Sequence, residues 1–194
     1  MISRIDHVSI AVKDIDRAHD FLKKIAGLVP GVSATDNHLE FRWQIFSAGD
    51  LSRLELIHPT GPNSYLNKFL SDKQGGVHHI TFETSDIHVT KTKLDQYQIP
   101  YFGFNDSNEA WKELFIHPRD AFGVLIQIAQ FRPEEWLHPG ENLPNGQKWS
   151  VEDDDGHAQL IVAHPGGGKV KLSLDKSEIS RLIKELEQVK YRVG

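Results

Sequence analysis

The sequence predicts an α+β fold made of two copies of a βαβββ module, followed by a hairpin and helix of another kind. Three observations carry this. First, HVSIAVKDID, starting at His7, lies over HITFETSDIH, starting at His79, in constant register: His, then alternation, then Asp14-Ile15 over Asp86-Ile87. Second, the same 72-residue offset places Leu22 over Leu94 and Glu55 over Gln127, each of the latter two a polar residue inside an apolar strand. Third, the repeat stops near residue 131, which divides the chain into modules 1–61 and 72–131 and an extension over 132–194.

In the first module, residues 4–12 alternate as a strand. Asp14 is an N-cap, and Ile15, Ala18, Leu22 and Ile25 form a helical stripe that ends at Gly27. Strands follow near 39–47 and 52–58, with Gly49-Asp50 as their turn. A short helix over 63–71 links the copies. The second module has a strand at 77–83 and a helix capped by Ser85 or Asp86 that stops before Pro100, because the residue before proline resists helix. Strands near 111–117 and 123–130 complete it. Residues 131–156, rich in Pro, Gly and acidic residues, read as loop. AQLIVAHPGGGKVKLSL reads as a hairpin turning at Pro165–Gly168. The last helix takes Asp175 and Glu178 as a capping box, with Ile179, Leu182, Ile183, Leu186 and Val189 as its apolar stripe.

The chain of 194 residues can bury one sizeable core. Its net charge of −5 argues against a nucleic-acid partner, since no basic excess marks a phosphate-binding face. With no cysteine, disulfides and thiolate chemistry are excluded. No charged-then-apolar leader precedes the first strand and no apolar run approaches about 18 residues. The expected location is the cytoplasm, away from the membrane.

Side chains alternate along a strand, so parity separates the helix-packing face from the open face. Val8, Ile10 and Val12 share one face, and His7, Ser9 and Ala11 the other. Ile80 and Phe82 match the first set; His79, Thr81 and Glu83 match the second. His78 shares parity with Ile80 and is expected away from the open face. Glu55 and Gln127 are each flanked by apolar residues and are expected beside the histidines. One His or one Glu in a strand ordinarily means little. Paired across two copies in one register, His7, Glu55, His79 and Gln127 read as ligands for one divalent metal in a cup between the modules. Two imidazoles and two oxygen donors suit Co, Ni, Mn, Fe or Zn.

At these residues the sequence resembles the vicinal oxygen chelate superfamily (glyoxalase/bleomycin resistance/dioxygenase), closest to the methylmalonyl-CoA epimerases, with glyoxalase I next. IDHVSIAVKDID, LELIHP, GGVHHITFETSDI and LFIHPRDAFGVLIQI carry the resemblance, over about residues 4–130. It implies a glyoxalase-like cup of paired modules, a homodimer, and metal positions on His7, Glu55, His79 and Gln127. It also implies an isomerase or epimerase that stabilises an enolate of an acyl-CoA-type small-molecule substrate. The alternatives are a glyoxalase I-type lyase, another superfamily enzyme such as an Fe(II) dioxygenase, and a non-catalytic ligand-binding relative. The sequence departs from the epimerase pattern at two acidic positions. The final ligand, a proton-moving Glu in the epimerases, is Gln127, and a second acid expected in strand two falls on Gln44. An amide ligates through its carbonyl oxygen but is no general base. Glu55 is then the first candidate base. Glu83 lies about 13 Å along the strand from His79, too far. Glu113 and His117 read as a surface carboxylate and a turn-side histidine.

Overall fold

The structure, a computed structural model, describes residues 2–49, 52–132, 143–144, 146–163 and 169–193. It divides into two compact units, Met1–His138 and Pro139–Gly194.

The first unit is one eight-stranded sheet. β1 (Ile2–Val12) leads into α1 (Ile15–Asp20), whose end widens into a π turn over Phe21–Ile25. β2 (Val29–Asp36), β3 (Phe41–Ser47) and β4 (Arg53–Pro59) finish the first module, and α2 (Leu66–Phe69) links to the second. β5 (Gly75–Thr84), α3 (Ile87–Gln96), β6 (Phe102–Asn105), β7 (Trp111–Ile116) and β8 (Leu125–Phe131) repeat the pattern, with a 3-10 turn at Pro118–Asp120. β2 and β6 are the strands that periodicity alone did not locate. Both are edge strands with a register shift against their partners, and neither alternates cleanly.

The strand order is β2-β3-β4-β1-β5-β8-β7-β6. β1 and β5 pair antiparallel at the centre, and each module's last strand runs parallel to its first. The internal repeat is therefore a repeat of register. Ser9 faces Glu55 in one module, and Thr81 faces Gln127 in the other.

Local chemistry explains the helix boundaries. The Asp14 side chain accepts from the Arg17 amide, and Asp86 accepts from the His88 and Val89 amides. Gly27, at φ 73°, supplies the left-handed residue that ends the first helix. Each module packs its helix on the sheet's outer face. Leu22, Phe46 and Leu56 form one core, and Ile87, Leu114, Ile116 and Ile128 the other. A third cluster sits on the opposite, concave face, where Leu66 and Leu70 of the linking segment bury against Ala11 and Ile57. The linker thus closes one end of the concave face.

The second unit is a three-stranded antiparallel sheet of β9 (Trp149–Asp154), β10 (His157–Ala163) and β11 (Lys169–Leu174) beside α4 (Lys176–Lys190). β9 corrects the reading of 131–156 as loop: Trp149, Val151 and the acidic residues Glu152, Asp153 and Asp154 after them pair with β10, turning through Asp155 and Gly156 at positive φ. The expected turn at Pro165–Gly168 lies outside the described residues. The capping box of Asp175 and Glu178 forms. Within the α4 stripe, Ile183, Leu186 and Val189 remain exposed. Among the described residues, no helix is long and apolar enough to cross a membrane.

Candidate metal centre

The concave face encloses a cavity of about 730 Å³. His7 and His79 reach its floor from β1 and β5, Glu55 from β4 and Gln127 from β8. One ligand atom from each of His7, Glu55 and His79 lies within 4.8 Å of the others. Glu55 Oε2 is 3.7 Å from His7 Nε2 and 3.5 Å from His79 Nε2. Gln127 joins through Thr81, whose hydroxyl lies 2.9 Å from His7 Nε2 and 2.6 Å from Gln127 Oε1.

The proton inventory of this cluster is informative. Asp6 Oδ2 sits 2.7 Å from His7 Nδ1. A carboxylate only accepts, so His7 donates from Nδ1 and, when neutral, keeps a lone pair on Nε2. The Gln127 amide donates from Nε2 to Glu113 at 2.6 Å, which turns Oε1 inward. Thr81 thus has one proton for two acceptors, His7 Nε2 and Gln127 Oε1. Glu55 Oε2 is buried and, among the described residues, has no hydrogen-bond partner. Among the described residues, His79 also contacts Gln127 and Ser9 pulls on Glu55, but lone pairs still converge on one centre from His7 Nε2, Gln127 Oε1 and Glu55 Oε2. Such a set is costly for a protein alone and is the donor chemistry of a cation site. The residues present therefore fit a divalent ion.

Two bulges in the central pair shape the site. β1 carries one extra residue at Asp6 against β5, and β5 one extra at His78 against β1. These positions are equivalent in the repeat, and each precedes a cup histidine. Each bulge residue reaches the Nδ1 of that histidine: Asp6 at 2.7 Å, and His78, through its own Nδ1, at 2.9 Å. The expectation that parity keeps His78 off the cup is therefore corrected. The bulge breaks strict alternation, and His78 lines the cavity against the Tyr65 and Phe69 rings. Asp6 is further held by Arg4 and Arg53.

Burial alone would raise the Asp6 carboxyl, but His7, Arg53 and Arg4 together hold it below the usual range. Burial pushes Glu55 up, against the pull of His7 and Ser9. Burial lowers His78 to about 4 and, with His7 and His78 nearby, holds His79 well below the usual histidine value.

Other sequence expectations divide. Gln44 is corrected: it pairs with Leu56 and sits on the helix side, beside Ile15 and His58. The cup positions of β3 are Phe41, Trp43 and Ile45. Glu113 is also corrected. Leu114 and Ile116 pack on the helix side, so Trp111, Glu113 and Phe115 face the cavity. That alternation was the available signal. Glu83 pairs with Arg4 away from the cavity, and His117 caps the Pro118 turn by accepting from the Arg119 amide.

This geometry can be set against known proteins. The chain matches the Glyoxalase/Bleomycin resistance protein/Dioxygenase superfamily over residues 6–114. It belongs to that superfamily. It is 31% identical over 134 residues to the ethylmalonyl-CoA/methylmalonyl-CoA epimerase of Cereibacter sphaeroides, covering 67% of this chain and 99% of that one. It is 31% identical over 134 residues to the mitochondrial methylmalonyl-CoA epimerase of Homo sapiens, covering 66% and 74%. Among solved structures it resembles methylmalonyl-CoA epimerase from Mycobacterium tuberculosis, with TM-score 0.62, 25% identity, and coverage of 69% of this chain and 91% of that one. An epimerase solved with methylmalonyl-CoA and NH4+ gives TM-score 0.60 at 25% identity, covering 68% and 96%. The likeness to curated relatives and solved structures shows the superfamily's curled-sheet α+β fold, and those curated relatives carry the names of epimerases.

Proposed function

We propose that the cup holds one divalent ion through His7, His79, Glu55 and Gln127, and that the protein is an isomerase of the methylmalonyl-CoA epimerase type acting on an acyl-CoA. The observation that carries this reading is the convergence of His7, Glu55 and His79 within 4.8 Å around a buried carboxylate oxygen left, among the described residues, without a hydrogen-bond partner of its own. A bound Co, Ni, Mn, Fe or Zn ion would act as a Lewis acid on neighbouring substrate oxygens and stabilise enolate charge, an effect worth several kcal/mol.

The chain's own residues do the rest. Phe41, Trp43, Trp111 and Phe115 wall the cavity and shield the reacting carbon from water. Asp6 and His78 fix the two imidazoles in the orientation that turns Nε2 inward. Glu55 is the carboxylate among the proposed ligands and, in this reading, a proton acceptor for the α-carbon.

The test is deuterium wash-in at the α-carbon of methylmalonyl-CoA in heavy water, followed by NMR with the metal-free protein and with each ion restored. Wash-in that needs both ion and protein is expected. Its absence with an ion stoichiometrically bound would overturn the reading.

A further inference from the structure

Inverting a carbon centre requires a proton to leave one face and return on the other. One fixed carboxylate serves one face, so the chemistry asks for a second proton-transfer group across the cup. Among the described residues, four carboxylates line the cavity: Asp6, Asp36, Glu55 and Glu113. Asp6 is consumed by His7, Arg4 and Arg53. Asp36 accepts from the His38 and Leu39 amides at the end of edge strand β2. Glu55 belongs to the first module and the proposed ligand set. That leaves Glu113, which reaches in from β7 of the second module.

Its setting suits the task. Trp111 Nε1 at 2.8 Å and Gln127 Nε2 at 2.6 Å both donate to the same oxygen, Oε2. Oε1 stays available to a substrate. Trp111 itself stacks on Phe131 with ring centroids 4.7 Å apart, so the anchor is rigid. Gln127 couples the two parts of the cup. Its Oε1 faces the proposed ion site while its Nε2 holds Glu113. Glutamine cannot accept a proton, yet it can do both of these things at once. The acidic function absent from position 127 stands one strand further out.

We propose that Glu113 is the proton-transfer residue on the second module's side of the cup, with Gln127 as its positioning residue. The inference rests on the function proposed above. The α C–H bond breaks, its proton moves to Glu113 Oε1, and the electron pair is delocalised into the substrate carbonyl as the enolate. Glu55, carrying a proton, then delivers it to the opposite face of the enolate, which inverts the carbon; in the other direction Glu55 takes the proton and Glu113 supplies the one on its own face. No oxidant or reductant is involved.

The experiment compares wild type with Glu113→Gln and Glu113→Asp in heavy water, starting from each methylmalonyl-CoA enantiomer. In Glu113→Gln, interconversion should fall at least about 100-fold. One enantiomer should still take up deuterium with retention, through Glu55. Glu113→Asp should recover part of the loss. Zinc titration should still give one ion per chain, because Glu113 is not itself a ligand and the amide carbonyl oxygen that Glu113→Gln introduces can still accept from Gln127 Nε2. A second readout is the Trp111 indole N–H resonance of the zinc-loaded protein, which should move when the acyl-CoA is added. Wild-type interconversion in Glu113→Gln, or an unmoved Trp111 signal at saturating acyl-CoA, overturns the inference and leaves the proposed function standing. No wash-in by wild type with zinc bound overturns both.

Discussion

Replacing Asp6 separates two roles that one buried carboxylate plays. Asp6 is 3% exposed, accepts from His7 Nδ1 at 2.7 Å, and neutralises Arg53, whose side chain is 1% exposed. Asp6→Ala leaves the Arg53 charge buried without its main counter-ion, which costs about 3–5 kcal/mol. For a chain of this size that is a fall of roughly 6–20 °C in melting temperature. It also removes the group that fixes the His7 ring, and loss of such a partner lowers metal affinity about 10–100-fold. The two effects come apart in a double variant. Asp6→Ala with Arg53→Met removes both charges and should recover most of the stability, because a buried pair replaced by apolar groups is often near neutral. Metal affinity should stay low, since His7 still lacks its acceptor. Thermal melts and zinc titration on the three variants measure both quantities. Wild-type zinc affinity in Asp6→Ala would refute the idea that Asp6 orients His7. Failure of the double variant to regain stability would refute the charge-pair account.

Further outcomes follow from the same geometry. Thr81→Val removes the hydroxyl proton that lies between His7 Nε2 and Gln127 Oε1, which should cost about 1–3 kcal/mol in metal-free protein and much less with zinc bound; denaturant unfolding with and without zinc measures the difference, and equal costs would contradict it. Burial lowers His78 to about 4, so the unfolded chain binds the extra proton below about pH 6.5 while the folded chain does not. Metal-free protein should therefore hold its full stability above pH 6.5 and lose about 2 kcal/mol from this group by pH 5, read from urea unfolding. His78→Gln should reduce that slope to the part carried by His79, and an unchanged slope would assign it elsewhere.

Much of the first unit was legible because its repeat is a repeat of register. His7 over His79 and Glu55 over Gln127 needed only counting, since parallel pairing of β1 with β4 and of β5 with β8 keeps the same stagger in both modules. What escaped has local causes. Counting parity assumes a regular pleat, and bulges at Asp6 and His78 break it beside the two histidines. That hid the orienting role of His78. Gln44 was misplaced because β3 is apolar on both faces: Trp43 and Ile45 line the cup while Phe46 packs under the helix. Glu113 looked superficial because a charged residue in a strand usually is, although Leu114 and Ile116 forced it inward. β9 was hidden by acidic residues whose side chains remain in solvent while their backbone pairs with β10.

Elemental analysis of freshly purified protein, paired with zinc titration of the metal-free form, tests the metal centre most directly. The account predicts one first-row transition ion per chain, bound tightly in wild type and lost in both His79→Ala and Glu55→Ala. Stoichiometry and affinity unchanged in those two variants would contradict it, as would a folded metal-free protein that binds none of the five ions.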